Sequence, residues 1–247
     1  MGVILHAAAV TDLGLVRSNN EDSFHVGPRV IAIADGMGGL PAGELASDVV
    51  IKALAKLDRK PADVDPLDQL TEAVKEGNNK VAEMVDDHPE REGMGTTVTA
   101  LMLVDDKLGL VHVGDSRCYL LHDNTLEQVT RDDTLVQSLV DRGALTPQQA
   151  RTHPQRSLVT QAVQGRPMTI SGGTLDARDG DRFMLCSDGL SDVVTDEAIA
   201  LAMASYPEPQ ECAEQLVKLA VQAGGPDNIT VIVADVTSGH RNGPPGR

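Results

Sequence analysis

Apolar positions along the chain fall into two recurring patterns. Alternating or continuous apolar runs of about four to eight residues read as strands. They occur at Val30 to Ala34, Thr97 to Val104, Leu108 to Val113, Cys118 to Leu121, Arg182 to Cys186 and Ile229 to Val236, with a strand-like start across Ala7 to Leu15. Between them lie helical periods. Glu44 to Leu57 places Val49, Val50, Ala53, Leu54 and Leu57 on one face. A second helix opens with Asp65 as N-cap and Pro66 at its first position, and Leu67, Leu70, Val74, Val81 and Val85 form its stripe. Asp123-Asn124 marks a hairpin turn, Thr146-Pro147-Gln148-Gln149 has the spacing of a capping box, and Thr195 is a cap. The run from Pro209 to Ala223 stops at Gly224-Gly225. Strands arrive in blocks with helices grouped between them, which predicts antiparallel sheets flanked by helices instead of a doubly wound parallel sheet.

Composition narrows the possibilities. The 247 residues carry 37 acidic against 21 basic side chains, a formal charge of -16, so the basic footprint of a nucleic-acid-binding surface is missing. With two Phe, two Tyr and no Trp, the core must be aliphatic and a stacking platform is excluded. No run reaches the roughly 18 apolar residues of a membrane helix, and Val3 to Val10 lacks the basic flank of a signal peptide. The expectation is a monomer in the cytoplasm. Cys118, Cys186 and Cys212 lie in apolar runs without Cys-x-x-Cys spacing, which predicts small buried hydrophobes. One domain over residues 1–237 is expected. It would contain a helical and loop insert over about 132–165, and a Gly/Pro-rich tail over 238–247 would follow as linker or frayed end.

Candidate chemistry gathers on aspartates at the ends of strand-like runs. Asp35 follows Val30 to Ala34 and opens Asp-Gly-Met-Gly-Gly; Asp115 follows Val113-Gly114; Asp188 follows Phe183 to Cys186 through Ser187; Asp227-Asn228 precedes the last strand. Any one of these alone is a turn. Four with the same placement can converge at one end of a sandwich, where several carboxylates repel one another unless a cation holds them. All-oxygen ligation suits Mg²⁺ or Mn²⁺. A second cluster, Arg17-Ser18-Asn19-Asn20-Glu21-Asp22, offers a guanidinium fork for phosphoryl oxygens, with Glu21 and Asp22 as outer-shell groups; in isolation it reads as a solvated turn.

Taken in chain order, Arg17 to Asp22, Ala34-Asp35-Gly36-Met37-Gly38-Gly39, Gly93-Met94-Gly95-Thr96-Thr97, Val113-Gly114-Asp115-Ser116-Arg117, Ser187-Asp188-Gly189 and Gly225-Pro226-Asp227-Asn228-Ile229-Thr230 resemble the signature segments of the metal-dependent PP2C-type protein phosphatases of bacterial type. The resemblance implies an α+β, four-layer αββα sandwich with a metal centre at one end. It implies Asp35 as the carboxylate bridging two Mn²⁺ or Mg²⁺ ions, the Gly36 carbonyl on one of them, and Asp188 and Asp227 as further ligands. Asp115 would hold a third ion with Asp188. Arg17 would bind the substrate phosphate, and Glu21, Asp22 and Asn228 would stand behind the ligands. The reaction implied is hydrolysis of phosphoserine and phosphothreonine in proteins by water shared between the cations, in opposition to a bacterial Ser/Thr protein kinase. Met37 occupies the position where many eukaryotic members have histidine, so no side chain is assigned as general acid.

Bland roles weigh against several neighbours. His153 and Arg156 in the insert suit capping or solvent-facing roles, His112 a packed or surface position, and Met94 and Met102 core filling. Asp133 stands where bacterial relatives commonly have histidine. A non-catalytic PP2C-like binding or regulatory module is the competing reading; it would be expected to have lost one of Asp35, Asp188 or Asp227, and all three are present.

Overall fold

The computed structural model describes residues 2–38, 42–60 and 64–239. In chain order the strands are β1 (Val3–Asp12), β2 (Asp22–Val26), β3 (Val30–Met37), β4 (Gly95–Thr96), β5 (Val98–Val104), β6 (Lys107–Val113), β7 (Arg117–His122), β8 (Thr125–Gln128), β9 (Ser171–Asp176), β10 (Arg182–Cys186) and β11 (Ile229–Ser238). The α-helices are α1 (Ala42–Ala55), α2 (Pro66–Asp87), α3 (Leu135–Asp141), α4 (Pro147–Arg151), α5 (Asp188–Ser191), α6 (Asp196–Ser205) and α7 (Pro209–Gln222). Two antiparallel sheets result, one ordered β1-β11-β10-β7-β8 and the other β2-β3-β5-β6-β9 with β4 against β3.

Alternation along the central strands builds three apolar layers. Ile31, Ile33, Leu101, Leu110, Phe183, Leu185 and Ile232 fill the space between the sheets. On the outer face of one sheet, Val30, Ala32, Val98 and Val111 pack against Val50 and Leu54 of α1 and Leu70 and Val74 of α2. On the other, Met184, Val231 and Val233 meet Ile199 of α6 and Leu216 and Val217 of α7. Each fully buried aliphatic side chain contributes roughly 1.5–3 kcal/mol, so the chain with little aromatic content still closes four layers. All three cysteines are buried, as are Met94 and Met102.

Capping follows the sequence closely. Asp65 accepts from the amides of Leu67 and Asp68, Thr146 and Gln149 form a reciprocal box, and Thr195 accepts from Ala198. The hairpin at Asp123-Asn124 has both residues at positive φ, 47° and 60°, which Asp and Asn tolerate better than most side chains.

The edges depart from the expectation. β2, β8 and β9 are strands that the apolar pattern did not predict, and β1 begins at Val3 and ends at Asp12 instead of running from Ala7 to Leu15. All four are edge strands. At the other end of the chain, β11 runs past Val236, and Ser238 pairs with Val3, so the strand takes the first residue assigned to the tail. Residues 240–247, and Gly39 of the glycine-rich segment, lie outside the described residues.

Candidate active site

The space between the sheets changes character at one end. Inward-facing rows that begin with apolar side chains end in polar ones: Ile31, Ile33, then Asp35; Leu103, Leu101, then Thr99; Leu108, Leu110, then His112; Phe183, Leu185, then Ser187; Ala234, Ile232, then Thr230. This polar cap carries the predicted aspartates. Asp35 is not at a turn, as its Asp-Gly context suggested, but inside β3, opposite Asp22 of β2. Asp188 opens the short helix α5 just after β10, and Asp115 is buried between Gly114 and Ser116 ahead of β7. Asp227 sits just before β11.

Close backbone approach makes two glycines necessary here. Gly114 has φ +109°, and a Cβ on it would press on Thr97. A Cβ on Gly189 would collide with the carbonyl of Asn228, so Asp188 and Asp227 are brought together by a backbone contact that only glycine allows.

Hydrogen bonds fix each group. The Asp35 amide donates to Thr97 Oγ1 at 3.0 Å, and its carbonyl accepts from Thr96 Oγ1 at 2.9 Å. Asp22 Oδ2 accepts from Ser187 Oγ at 2.8 Å and Thr230 Oγ1 at 2.7 Å, while its Oδ1 is buried with no partner. Asp188 Oδ1 is likewise buried without a partner. Arg17, which is exposed, donates from Nη2 to Asp227 Oδ2 at 2.7 Å. Asn228 spends both ends of its amide on the loop before β2: its Oδ1 accepts from the Glu21 amide at 2.9 Å, and its Nδ2 donates to the carbonyls of Leu13 and Asn19, each at 3.0 Å. Glu21 is a backbone hub, its carbonyl accepting from the Gly36 amide at 3.2 Å and Ser47 Oγ at 2.7 Å.

Electrostatics make the cap an acidic trap. Burial, reinforced by repulsion from Asp22, Asp188, Asp115 and Asp227, holds the Asp35 carboxyl well above the usual range. Asp188 is raised in the same way, by burial first and then by Asp115 and Asp192. Burial raises Asp22 to about 6, against the pull of the Thr230 and Ser187 hydroxyls, and raises Asp115 to about 7 with help from Asp132 and Asp192. Carboxylates that raise one another's pKa while presenting bare oxygens are the chemistry that a hard divalent cation answers. Among the described residues no three His, Cys, Asp or Glu side chains are grouped so as to hold a metal ion as they stand. The donor set, all oxygen with two unpartnered carboxylate oxygens, fits Mg²⁺ or Mn²⁺.

The insert roofs the adjoining cleft, which has a volume of about 300 Å³ and is lined by Asp115, Asp188 and Asp192 on one side and Arg151 and Arg156 on the other. Arg156 pairs with Asp192 at 3.3 Å, and His153 accepts at Nδ1 from the Gln155 amide. Asp133 ties the insert to the Asp115 turn: its carboxylate accepts from the Gly114 amide at 3.1 Å, and its amide donates to the Gly114 carbonyl at 2.7 Å. Sequence reasoning missed the supporting hydroxyls of Thr97, Ser116, Ser187 and Thr230. Their signal was present as polar residues standing in phase with the inward-facing apolar rows.

A helix-flanked antiparallel sandwich with an acidic, cation-fitting cleft at one end of its strands is the architecture of the PP2C-type protein phosphatases, and the chain belongs to that family. The family pattern described as Protein phosphatase 2C matches residues 16–220. Among its relatives, the serine/threonine protein phosphatase PstP of Mycobacterium tuberculosis strain H37Rv is 53% identical over 234 residues, covering 95% of this chain and 45% of PstP. The chain thus spans about half the length of that relative. Protein phosphatase PhpP of Streptococcus pneumoniae strain R6 is 33% identical over 244 residues, 94% of this chain and 98% of PhpP. The crystal structure of M. tuberculosis PstP/Ppp superposes with a TM-score of 0.92 at 52% identity, covering 95% of this chain and all of that one. That of the catalytic domain of PstP in complex with two manganese ions gives 0.91 at 50% identity, covering 96% and 100%.

Proposed function

We propose that this chain is a Mn²⁺- or Mg²⁺-dependent protein phosphatase that hydrolyses phosphoserine and phosphothreonine in proteins. The observation that carries the reading is the convergence of Asp22, Asp35, Asp115, Asp188 and Asp227 on one polar cap, with bare buried oxygens and an arginine at the rim. Asp35, the Gly36 carbonyl, Asp188 and Asp227 would hold two cations, the number of manganese ions in the PstP catalytic domain complex, and Asp115 with Asp188 a third. Bound there, such cations lower the pKa of water and neutralise charge on the phosphoryl oxygens.

The chain's own residues do the positioning. Arg17 places a guanidinium at the open rim, where its fork matches two phosphate oxygens once Asp227 is otherwise occupied. Asn228 anchors the segment that carries Arg17, and Glu21 and Asp22 fix the backbone and hydroxyl shell behind the ligands. Met37 adds no proton donor beside Asp35. As partners we infer phosphoprotein substrates and a bacterial Ser/Thr kinase as counterpart, with the phosphatase acting as a monomer in the cytoplasm. Among the described residues no helix is long and apolar enough to cross a membrane.

Purified protein should hydrolyse p-nitrophenyl phosphate and a phosphothreonine peptide with Mn²⁺ and stop in EDTA. No turnover with Mn²⁺, or full turnover by Asp35→Asn, would overturn the reading.

A further inference from the structure

Polar side chains buried between two sheets cost free energy unless each donor and acceptor is matched. Thr97, Thr99, His112 and Ser116 are all at most 1% exposed. Thr99 and His112 face each other across β5 and β6, and their side chains meet at 2.9 Å, Thr99 Oγ1 to His112 Nδ1. Thr99 Oγ1 is also 2.9 Å from the Ser116 carbonyl, to which it donates. A hydroxyl has one proton. With that proton committed to the carbonyl, His112 must donate from Nδ1, which fixes the tautomer. Burial pushes the ring's pKa down, so the ring is neutral and Nε2 carries a lone pair. Nε2 is buried with no partner in the protein.

The network continues towards the carboxylates. Ser116 Oγ meets Thr97 Oγ1 at 2.5 Å, and Thr97 Oγ1 accepts from the Asp35 amide at 3.0 Å. The imidazole is therefore linked through Thr99 to the carbonyl that ends the Gly114–Asp115–Ser116 turn, and through Ser116 and Thr97 to the backbone of Asp35.

We propose that His112 is a positioning residue, which through Thr99 and Ser116 sets the placement of Asp115 and Asp35 for cation binding. The inference rests on the phosphatase reading for its kinetic consequence but not for its binding one. Groups that orient ligands from behind typically contribute about 10-fold to 100-fold in metal affinity or activity. Thr99 is the side-chain partner of the ring, through Nδ1, so an asparagine, whose amide nitrogen is likewise attached to Cγ, can replace the ring as donor to Thr99.

The test compares wild type with Thr99→Val, Thr99→Ser, His112→Ala and His112→Asn. Mn²⁺ affinity is read by titration calorimetry, kcat and KM with p-nitrophenyl phosphate, and folding by thermal melting. Thr99→Val and His112→Ala should each weaken Mn²⁺ binding and lower kcat about 10-fold with KM unchanged. Their combination should be no worse than the worse single variant. Thr99→Ser and His112→Asn, which keep the hydroxyl and the donor, should stay near wild type. Should His112→Ala not fold, the near-isosteric Thr99→Val decides against Thr99→Ser. Wild-type Mn²⁺ affinity in Thr99→Val, equal impairment of the conservative and disruptive variants, or additive losses in the double variant would each overturn the proposal. A wild-type protein without turnover would instead sink the phosphatase reading and leave the calorimetric comparison standing.

Discussion

Strands β10 and β11 carry charge at both ends, and the two ends treat it in opposite ways. At the far end, Arg182 donates to both oxygens of Asp235, at 2.6 and 2.7 Å, and to the carbonyls of Met203, Tyr206 and Pro207. Nearby, His122 Nδ1 meets the buried Asp181 at 2.6 Å. Donors there are matched to acceptors, as a buried charge requires. At the near end, Asp188 after β10 and Asp22 of the facing sheet each present one buried oxygen to no donor, and Asp188 and Asp35, also of the facing sheet, are held well above the usual carboxylate range. The same two strands thus separate charge that serves the fold from charge that waits for a ligand. A buried guanidinium with its carboxylate marks a structural joint, whereas buried carboxylates facing one another mark a site.

The sharpest way to break this contrast is to neutralise one carboxylate at the near end. Asp35→Asn removes the carboxylate proposed to bridge the cations and should lower kcat by on the order of 10³-fold or more, since cation chemistry supplies several kcal/mol of transition-state stabilisation. In EDTA the same variant should melt higher than wild type, because one of several mutually repelling carboxylates is gone. Lost activity together with raised metal-free stability is the signature of a site; a variant that loses both would place Asp35 with the structural charges.

The converse substitution is Arg182→Ala. It strands Asp235 and three carbonyls, and breaking such a pair typically costs about 3–5 kcal/mol. Urea denaturation should show that loss, while kcat per folded molecule stays at the wild-type value. Between the two lies Arg17→Ala. Its ion pair with Asp227 is largely exposed, so stability should hardly change. kcat/KM should fall by about 10-fold to 100-fold, the scale of a charge-assisted hydrogen bond to substrate of about 1.5–3 kcal/mol.

The interior was legible in the sequence and the edges were not, for one physical reason. Central strands such as β5, β6 and β10 are buried on both faces, so their signal is a dense apolar run. β2, β8 and β9 are half-exposed edges of compositions such as Ser-Gly-Gly-Thr-Leu-Asp, which read as loop until a neighbour supplies the ladder. The aspartates were legible as a repeated placement at the ends of strand-like runs. Their context misled in one respect, since Asp35-Gly36 continues β3 where the dipeptide suggests a turn. Tertiary pairing with β2 and β4 overrode the local preference. Thr99 was passed over because a threonine in a strand has high propensity whatever it bonds.

The mildest test of the contrast uses pH. In metal-free protein the carboxyls of Asp22 and Asp115 sit at about 6 and about 7, against 3.8 in the unfolded chain. Between those values the folded state keeps protons that the unfolded state has released. Stability from these groups is therefore fully present below the unfolded value and lost as pH rises through 6 to 7. In EDTA the melting temperature should decline by a few degrees from pH 5.5 to pH 8, on the scale of about 4 °C or less per kcal/mol for a chain of this size. Saturating Mn²⁺ should flatten or invert that slope, because cations that replace the protons bind better as the carboxyls ionise. A metal-free melting temperature that is flat or rising over this range would mean that the near-end carboxyls are solvated like surface charges, and the distinction between the two ends would fall.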